Sequence, residues 1–206
     1  MSLSARFEEA LIVATRLHAG QVRKGTAIPY IAHLLGVAGI VLEHGASEDE
    51  AIAALLHDAA EDRGGKAVLE DIRARFGDGV AEIVAGCTDA WTDPKPAWRA
   101  RKEAYIAALP RASASVRLVS AADKLHNARN ILSDYRALGE AVWERFTGGR
   151  EGTLWYYRSL VEIFRATGPS ALAEELERVV SEIEGLAAEQ SLAHMTELAG
   201  DEKRDE

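Results

Sequence analysis

The sequence predicts an all-α domain, and three observations carry that prediction. Apolar residues recur at helical spacing along nearly the whole chain, strand-like alternation is almost absent, and Gly or Pro interrupts the periodic runs. At 206 residues the chain is long enough to bury the core of one domain. No stretch approaches the roughly 18 unbroken apolar residues that a membrane-spanning helix needs.

The elements follow in order. Ser4 is a candidate N-cap for a first helix carrying Phe7, Ala10, Leu11, Ala14 and Leu17, with Gly20 closing it. Arg23 to Tyr30 reads as a loop broken by Gly25 and Pro29, and a second helix runs from Ile31 to His44, stopping at Gly45. Ser47 and Glu50 have capping-box spacing and start a helix through Ala51, Leu55, Leu56 and Ala59 to about Asp62. Further helices are expected at about 66–76, 79–90, 97–109 and 115–138, with Gly77, Gly139 and the Pro94–Pro96 segment as stops. A short helix over 140–146, a turn at 147–149 and two closing helices at 152–166 and 169–188 complete the domain, 1–188. Residues 189–206 are polar and are expected to fray.

Hydrophobic residues make up 48% and charged residues 28%, an ordinary balance for a soluble globular protein. The net charge of −9 argues against broad binding of nucleic acid or anionic membrane, which relies on a basic surface. It leaves room for a small phosphorylated ligand, because a metal and a few local cations can reverse the field within one cleft. The single cysteine, Cys87, excludes an internal disulfide, and the stretch from Met1 to Glu9 lacks the charged-then-apolar plan of a signal peptide. A reducing, cytoplasmic setting is the simplest expectation.

The chemistry-bearing residues are His33, His57-Asp58, Glu61-Asp62 and Asp123. His57 and Asp58 stand on an Ala/Leu-rich, buried helix, where a carboxylate beside an imidazole needs compensation that a divalent metal supplies. His33 opens the preceding helix, and Asp123 sits within an apolar later one. Two imidazoles and two carboxylates suit Mn²⁺, Fe²⁺ or Zn²⁺. Glu61 and Asp62 follow His57 and Asp58 by four residues each, one turn along the same face, placed to orient or deprotonate an attacking water or to protonate a leaving oxygen. Asn127, four residues after Asp123, can hold a phosphate or ribose oxygen. Taken singly, each has a plainer reading: a core histidine, a solvated helix end or an exposed ion pair. The combined order His…His-Asp…Asp is what points to a metal centre.

That order resembles the HD superfamily, and the flanking residues resemble the hydrolase domain of the RelA/SpoT family within it. Arg23-Lys24-Gly25 with Pro29-Tyr30-Ile31-Ala32-His33, Leu56-His57-Asp58-Ala59-Ala60-Glu61-Asp62, Phe76-Gly77 with Val80, and Ala122-Asp123-Lys124-Leu125-His126-Asn127-Ala128-Arg129 appear in the family's order over about residues 5–135. The resemblance implies an HD-domain helical bundle of the small, hydrolase-only branch, and a (p)ppGpp 3′-pyrophosphohydrolase yielding GDP or GTP and pyrophosphate. It implies Mn²⁺ on His33, His57, Asp58 and Asp123, proton transfer by Glu61 and Asp62, and nucleotide contacts from Arg23, Lys24 and Asn127. Two other readings stay open: an HD hydrolase of another nucleotide phosphate or phosphodiester, and a non-catalytic nucleotide-sensing module.

Departures from the family pattern fall outside the metal set: Ser120 where a Lys is frequent, Arg63 where a small hydroxylated residue is usual, and one extra residue between Lys24 and His33. Lys95, Arg99, Arg101 and Lys102 form a second basic cluster, which either guides phosphates or is a solvated helix face. Trp91 and Trp98 flank the Pro94–Pro96 turn as a candidate lid. His18 is expected to pack, and His126 is expected to play no ligand role, since it points about 100° away from Asn127.

Overall fold

A computed structural model describes residues 2–92, 94–167 and 170–202, without the side chains of 170 and 192–202. Its α-helices are α1 (Ala5–Leu17), α2 (Ile31–Glu43), α3 (Glu48–Leu56), α4 (Ala59–Arg63), α5 (Gly65–Phe76), α6 (Asp78–Cys87), α7 (Trp98–Ala108), α8 (Ala114–Leu138), α9 (Gly149–Thr167) and α10 (Ser170–Glu202). Two 3-10 segments, Leu109–Arg111 and Gly139–Arg145, bracket α8. Among the described residues the only extended pairing is an isolated bridge between Val22 and Pro29 at the neck of the α1–α2 loop. None of the described helices is long and apolar enough to cross a membrane.

Local chemistry sets the boundaries. Ser4, Ser47 and Ser113 each accept a backbone N–H at the start of α1, α3 and α8, and the Ser47–Glu50 capping box forms in both directions. The centre of the bundle is α3. Its residues Ala51 to Leu56 are all fully buried, as expected of a helix apolar on every face. Burying Ile52, Leu55 and Leu56 stabilises the fold by about 1.5–3 kcal/mol each. Packed around α3 are α1, α2, α6 and α8, and α10 lies along α8 and α9.

Two elements depart from expectation. The helix expected through His57 and Asp58 breaks there, because Asp58 sits at φ −93°, ψ −4°. The His57 Nδ1–H donates at 2.8 Å to the Ala54 carbonyl, the group an unbroken helix would offer to the Asp58 N–H. The short helix expected over 140–146 is present as a 3-10 helix, Gly139–Arg145. At the C-terminus α10 continues past the stop expected near residue 188 to Glu202, through a run without proline; residues 203–206 lie outside the described residues. Arg150, near the Gly148-Gly149 turn, donates to Ser191 Oγ and the Ala187 carbonyl, so it fastens α9 to α10.

Candidate active site

Four side chains predicted to act together converge where α2, the α3–α4 break and α8 meet. His33 Nε2 lies 3.5 Å from Asp58 Oδ2 and 3.2 Å from Asp123 Oδ1. His57 Nε2 lies 3.1 Å from Asp58 Oδ2 and 3.6 Å from Asp123 Oδ1. His33, His57 and Asp123 are buried. Burial alone would depress the His57 imidazolium, yet the two carboxylates outweigh it and hold the His57 pKa well above the ordinary imidazole value. Asp58 and Asp123 are held well below the usual carboxylate range against the cost of their own burial, Asp58 chiefly by His57 and Asp123 chiefly by Lys124.

The donor set fits a divalent metal. His57 Nε2 is buried and makes no hydrogen bond, although two carboxylate oxygens face it. Orphaned buried nitrogens are rare, and this one shares a focus with three oxygen or nitrogen atoms of its neighbours. Ligand atoms of His33, His57 and Asp58 all lie within 4.8 Å of one another, and Asp123 Oδ1 closes the group against both imidazoles. The outer nitrogens are also held. With its Nδ1–H given to Ala54, a His57 that yields its other proton to a bound cation would present the Nε2 lone pair to it. His33 Nδ1 pairs at 2.9 Å with His126 Nδ1. Burial, followed by the charges of His33 and Arg23, lowers the His126 pKa to about 4, so His126 is neutral and can accept the His33 proton.

His126, expected to play no ligand role, reaches the site as the partner of His33. It does point away from Asn127, but α2 occupies that side, and Gly36 leaves the space for its ring: a Cβ at Gly36 would lie 2.3 Å from His126 Cδ2 and Nε2. Asn130 adds a bond from Nδ2 to the His126 carbonyl. Tyr30 is a second participant with no role in the sequence reading. Its hydroxyl donates to Asp58 Oδ2 at 2.6 Å, and its ring stacks on His18 at 5.1 Å between centroids. Its place in the Pro29-to-His33 segment was the available signal.

Glu61 and Asp62 extend from the short α4 beside this group. Lys95 Nζ bridges them, at 2.7 Å from Glu61 Oε1 and 3.4 Å from Asp62 Oδ1. Gln21 donates to Asp62 Oδ2 at 3.0 Å, and Arg63 donates to Gln21 Oε1. Burial raises the Glu61 pKa, the Asp89 carboxylate raises it further, and Lys95 opposes both. Asp89 itself is buried against Arg101 and Lys102, with Lys102 Nζ at 2.6 Å. Those cations, with Lys124, outweigh its burial and bring its pKa down to about 2. The second basic cluster is therefore divided: Lys95 serves Glu61 and Asp62, Arg101 and Lys102 serve Asp89, and Arg99 pairs with Glu103 and lies 3.3 Å over the Trp155 ring. Trp98 is wedged against Gly148 and Gly152, whose missing side chains make its seat, whereas Trp91 is exposed.

A cavity of about 360 Å³ adjoins the four converging side chains. Tyr30 and Asn127, which bond Asp58 and Asp123, form part of its wall. Arg23 and Lys24 line it too, and Arg23 NH2 donates to Asn127 Oδ1 at 2.8 Å. All three residues expected to bind substrate therefore face one cavity. Cationic and polar side chains set among aromatic and apolar ones make a site for a small anionic molecule with a ring to stack.

Residues 10–154 match the HD domain family. Over 126 residues the chain is 40% identical to the guanosine-3′,5′-bis(diphosphate) 3′-pyrophosphohydrolase MESH1 of Xenopus tropicalis, spanning 60% of this chain and 68% of that protein. The human protein of the same name is 37% identical over 133 residues, 63% of this chain and 72% of its own. A solved structure described as a metazoan ortholog of SpoT that hydrolyzes ppGpp superimposes with a TM-score of 0.75 at 28% identity, covering 90% of this chain and 99% of that one. The matched stretch contains every converging His and Asp, so the chain belongs to the HD-domain family, as a relative of the MESH1 hydrolases.

Proposed function

We propose that this chain hydrolyses the 3′-pyrophosphate of guanosine tetra- and pentaphosphate, with Mn²⁺ held by His33, His57, Asp58 and Asp123. The observation that carries the reading is the meeting of a two-His, two-Asp group with a cation-lined cavity of nucleotide size. The activity named for the MESH1 relatives supports it. A divalent ion bound there supplies positive charge that draws electron density from a phosphate oxygen and makes a water more acidic.

The chain's own residues do the rest. Arg23 is held at one edge by Asn127, which leaves its guanidinium plane open to stack on the base, and Lys24 offers a point charge to phosphate. Glu61, whose pKa is raised by burial, accepts a proton from water as the water oxygen attacks the proximal 3′ phosphorus. The bond from phosphorus to the 3′ oxygen breaks, and that oxygen leaves protonated, with Asp62 in reach as the second proton carrier. Water is consumed, and GDP or GTP and pyrophosphate are released. Tyr30 and His126 hold Asp58 and His33 in place. A single free cysteine suits a reducing cytoplasm, where we place the protein.

The test is turnover of ppGpp by purified protein with Mn²⁺, with and without a chelator, following GDP and pyrophosphate. Chelator-sensitive release of both in equal amounts is expected. No release from protein that demonstrably binds metal would overturn the substrate assignment and turn the search to other nucleotide phosphates.

A further inference from the structure

We infer that Asp134, braced by Arg145, reads the Watson–Crick edge of a guanine base at the end of the cavity remote from the metal-binding group. The inference rests on the nucleotide reading above and names the residue that makes it guanine-specific. Its starting point is a charge that does not belong. Five cations line the cavity, Arg23, Lys24, Lys102, Lys124 and Arg145, as a polyphosphate requires. Among the described lining residues Asp134 is the one carboxylate. A carboxylate facing an anionic ligand opposes binding unless the ligand presents hydrogen-bond donors to it. An ionised carboxylate is acceptor-only and takes two parallel donors. Guanine presents such a pair, N1–H and N2–H, where adenine has an acceptor at N1 and no amino group at C2.

Placement agrees with this. Asp123, Asn127, Asn130, Ile131 and Asp134 form one stripe along α8, at the spacings that keep side chains on a single helix face. Three turns, about 16 Å, separate Asp123 from Asp134. That is room to lay a nucleoside with its 3′ phosphates at the Asp123 end and its base at the other. Asn127 is already engaged by Arg23 and Asp123, and the Asn130 amide by the His126 carbonyl, which leaves Asp134 as the acceptor of this stripe placed for the base.

Arg145 completes the pair. Its NH1 donates to Asp134 Oδ2 at 2.7 Å, its one hydrogen bond among the described residues, which leaves Asp134 Oδ1, the second lone pair of Oδ2 and the remaining guanidinium N–H groups for a ligand. Beside N1–H on guanine is O6, an acceptor suited to an arginine donor. The guanidinium is seated by Gly25, where a Cβ would lie 2.8 Å from Arg145 Nε; at φ +72° this is also a left-handed position that favours glycine. The loop that carries Arg23 and Lys24 thus turns underneath Arg145, so the residue that stacks on the base and the pair that reads its edge are held together. Ile131 and Phe146 supply apolar contact for the ring faces.

The experiment is calorimetric binding of GDP, IDP and ADP to wild type, Asp134→Ala and Arg145→Ala, with folding checked by circular dichroism. Wild type is expected to prefer GDP to ADP by about ten- to a hundredfold, the range for one good bidentate base contact, with IDP between them because it lacks the C2 amino group. Asp134→Ala should bring GDP and ADP to within about threefold of each other while changing ADP affinity little. Equal binding of GDP and ADP by wild type would overturn the inference. So would an Asp134→Ala variant that weakens GDP and ADP alike, the outcome for a merely structural ion pair. Loss of the GDP preference in Asp134→Ala, in a protein that turns over no ppGpp, would uphold the base contact and refute the hydrolase reading instead.

Discussion

Gly36→Ala tests whether His33 is held for metal binding from outside the metal site. The added Cβ would sit 2.3 Å from His126 Cδ2 and Nε2, where ordinary contact begins near 3.4 Å, so the ring must retreat by roughly 1 Å. The His33–His126 bond, now 2.9 Å, then exceeds the reach of a hydrogen bond. A metal-binding histidine that loses the partner of its outer nitrogen typically loses 10- to 100-fold in metal affinity, about 1.4–2.7 kcal/mol. Global stability should change less, because Ala gains about 1 kcal/mol over Gly in a helix interior and offsets part of the crowding. Gly39, three residues along α2, is the control, since nothing lies within 4 Å of a Cβ placed there. Calorimetric Mn²⁺ titrations with parallel thermal unfolding should show weaker binding in Gly36→Ala and wild-type binding with a raised Tm in Gly39→Ala. Mn²⁺ affinity in Gly36→Ala within threefold of wild type would refute the argument.

Three further outcomes follow from the surrounding contacts. Glu61→Gln should retain metal yet turn over ppGpp about 10²-fold more slowly, the scale for losing a proton-transfer group; an unchanged single-turnover rate would remove Glu61 from the reaction. Lys95 lowers the Glu61 pKa against burial and Asp89, so Lys95→Ala should raise it further, and the acidic limb of the pH–rate profile should move to higher pH; a limb that stays put or moves down contradicts the assignment. Asp89, depressed to about 2 by Lys102, Lys124 and Arg101 despite burial, should contribute stability above its unfolded pKa near 4 and lose it as pH falls toward 2. Asp89→Asn should therefore unfold in urea about 2 kcal/mol more easily at pH 7, with the gap from wild type closing between pH 4 and pH 2; a pH-independent gap would point to packing instead.

Much of this was legible in the residues. Periodicity and glycine stops located the helices, and the order His33, His57-Asp58, Asp123 identified the side chains that converge. Three features were hidden because none of them leaves a mark in local spacing. The break at Asp58 leaves the apolar pattern of α3 and α4 intact, so a periodicity argument runs straight through it. The role of His126 depends on α2 approaching α8 closely at Gly36, and one helix's angles say nothing about its neighbour. The Lys95 bridge joins residues 33 and 34 positions apart, and the Asp89 backbone N–H donates to Glu61 Oε2 across 28, with no local spacing to announce either.

Because α8 is a continuous 25-residue helix that carries Asp123 near its middle and Asp134 near its end, it acts as a ruler between the bond to be broken and the base. Adding or deleting one residue between them would turn the far mark by about 100° and shift it by about 1.5 Å, and the cavity wall would come apart at once. Relatives that changed their preferred nucleotide would be expected to do so by exchanging side chains along the stripe. The length of α8 between the two marks should tolerate no change, which makes it a more stringent signature of a shared substrate geometry than overall identity.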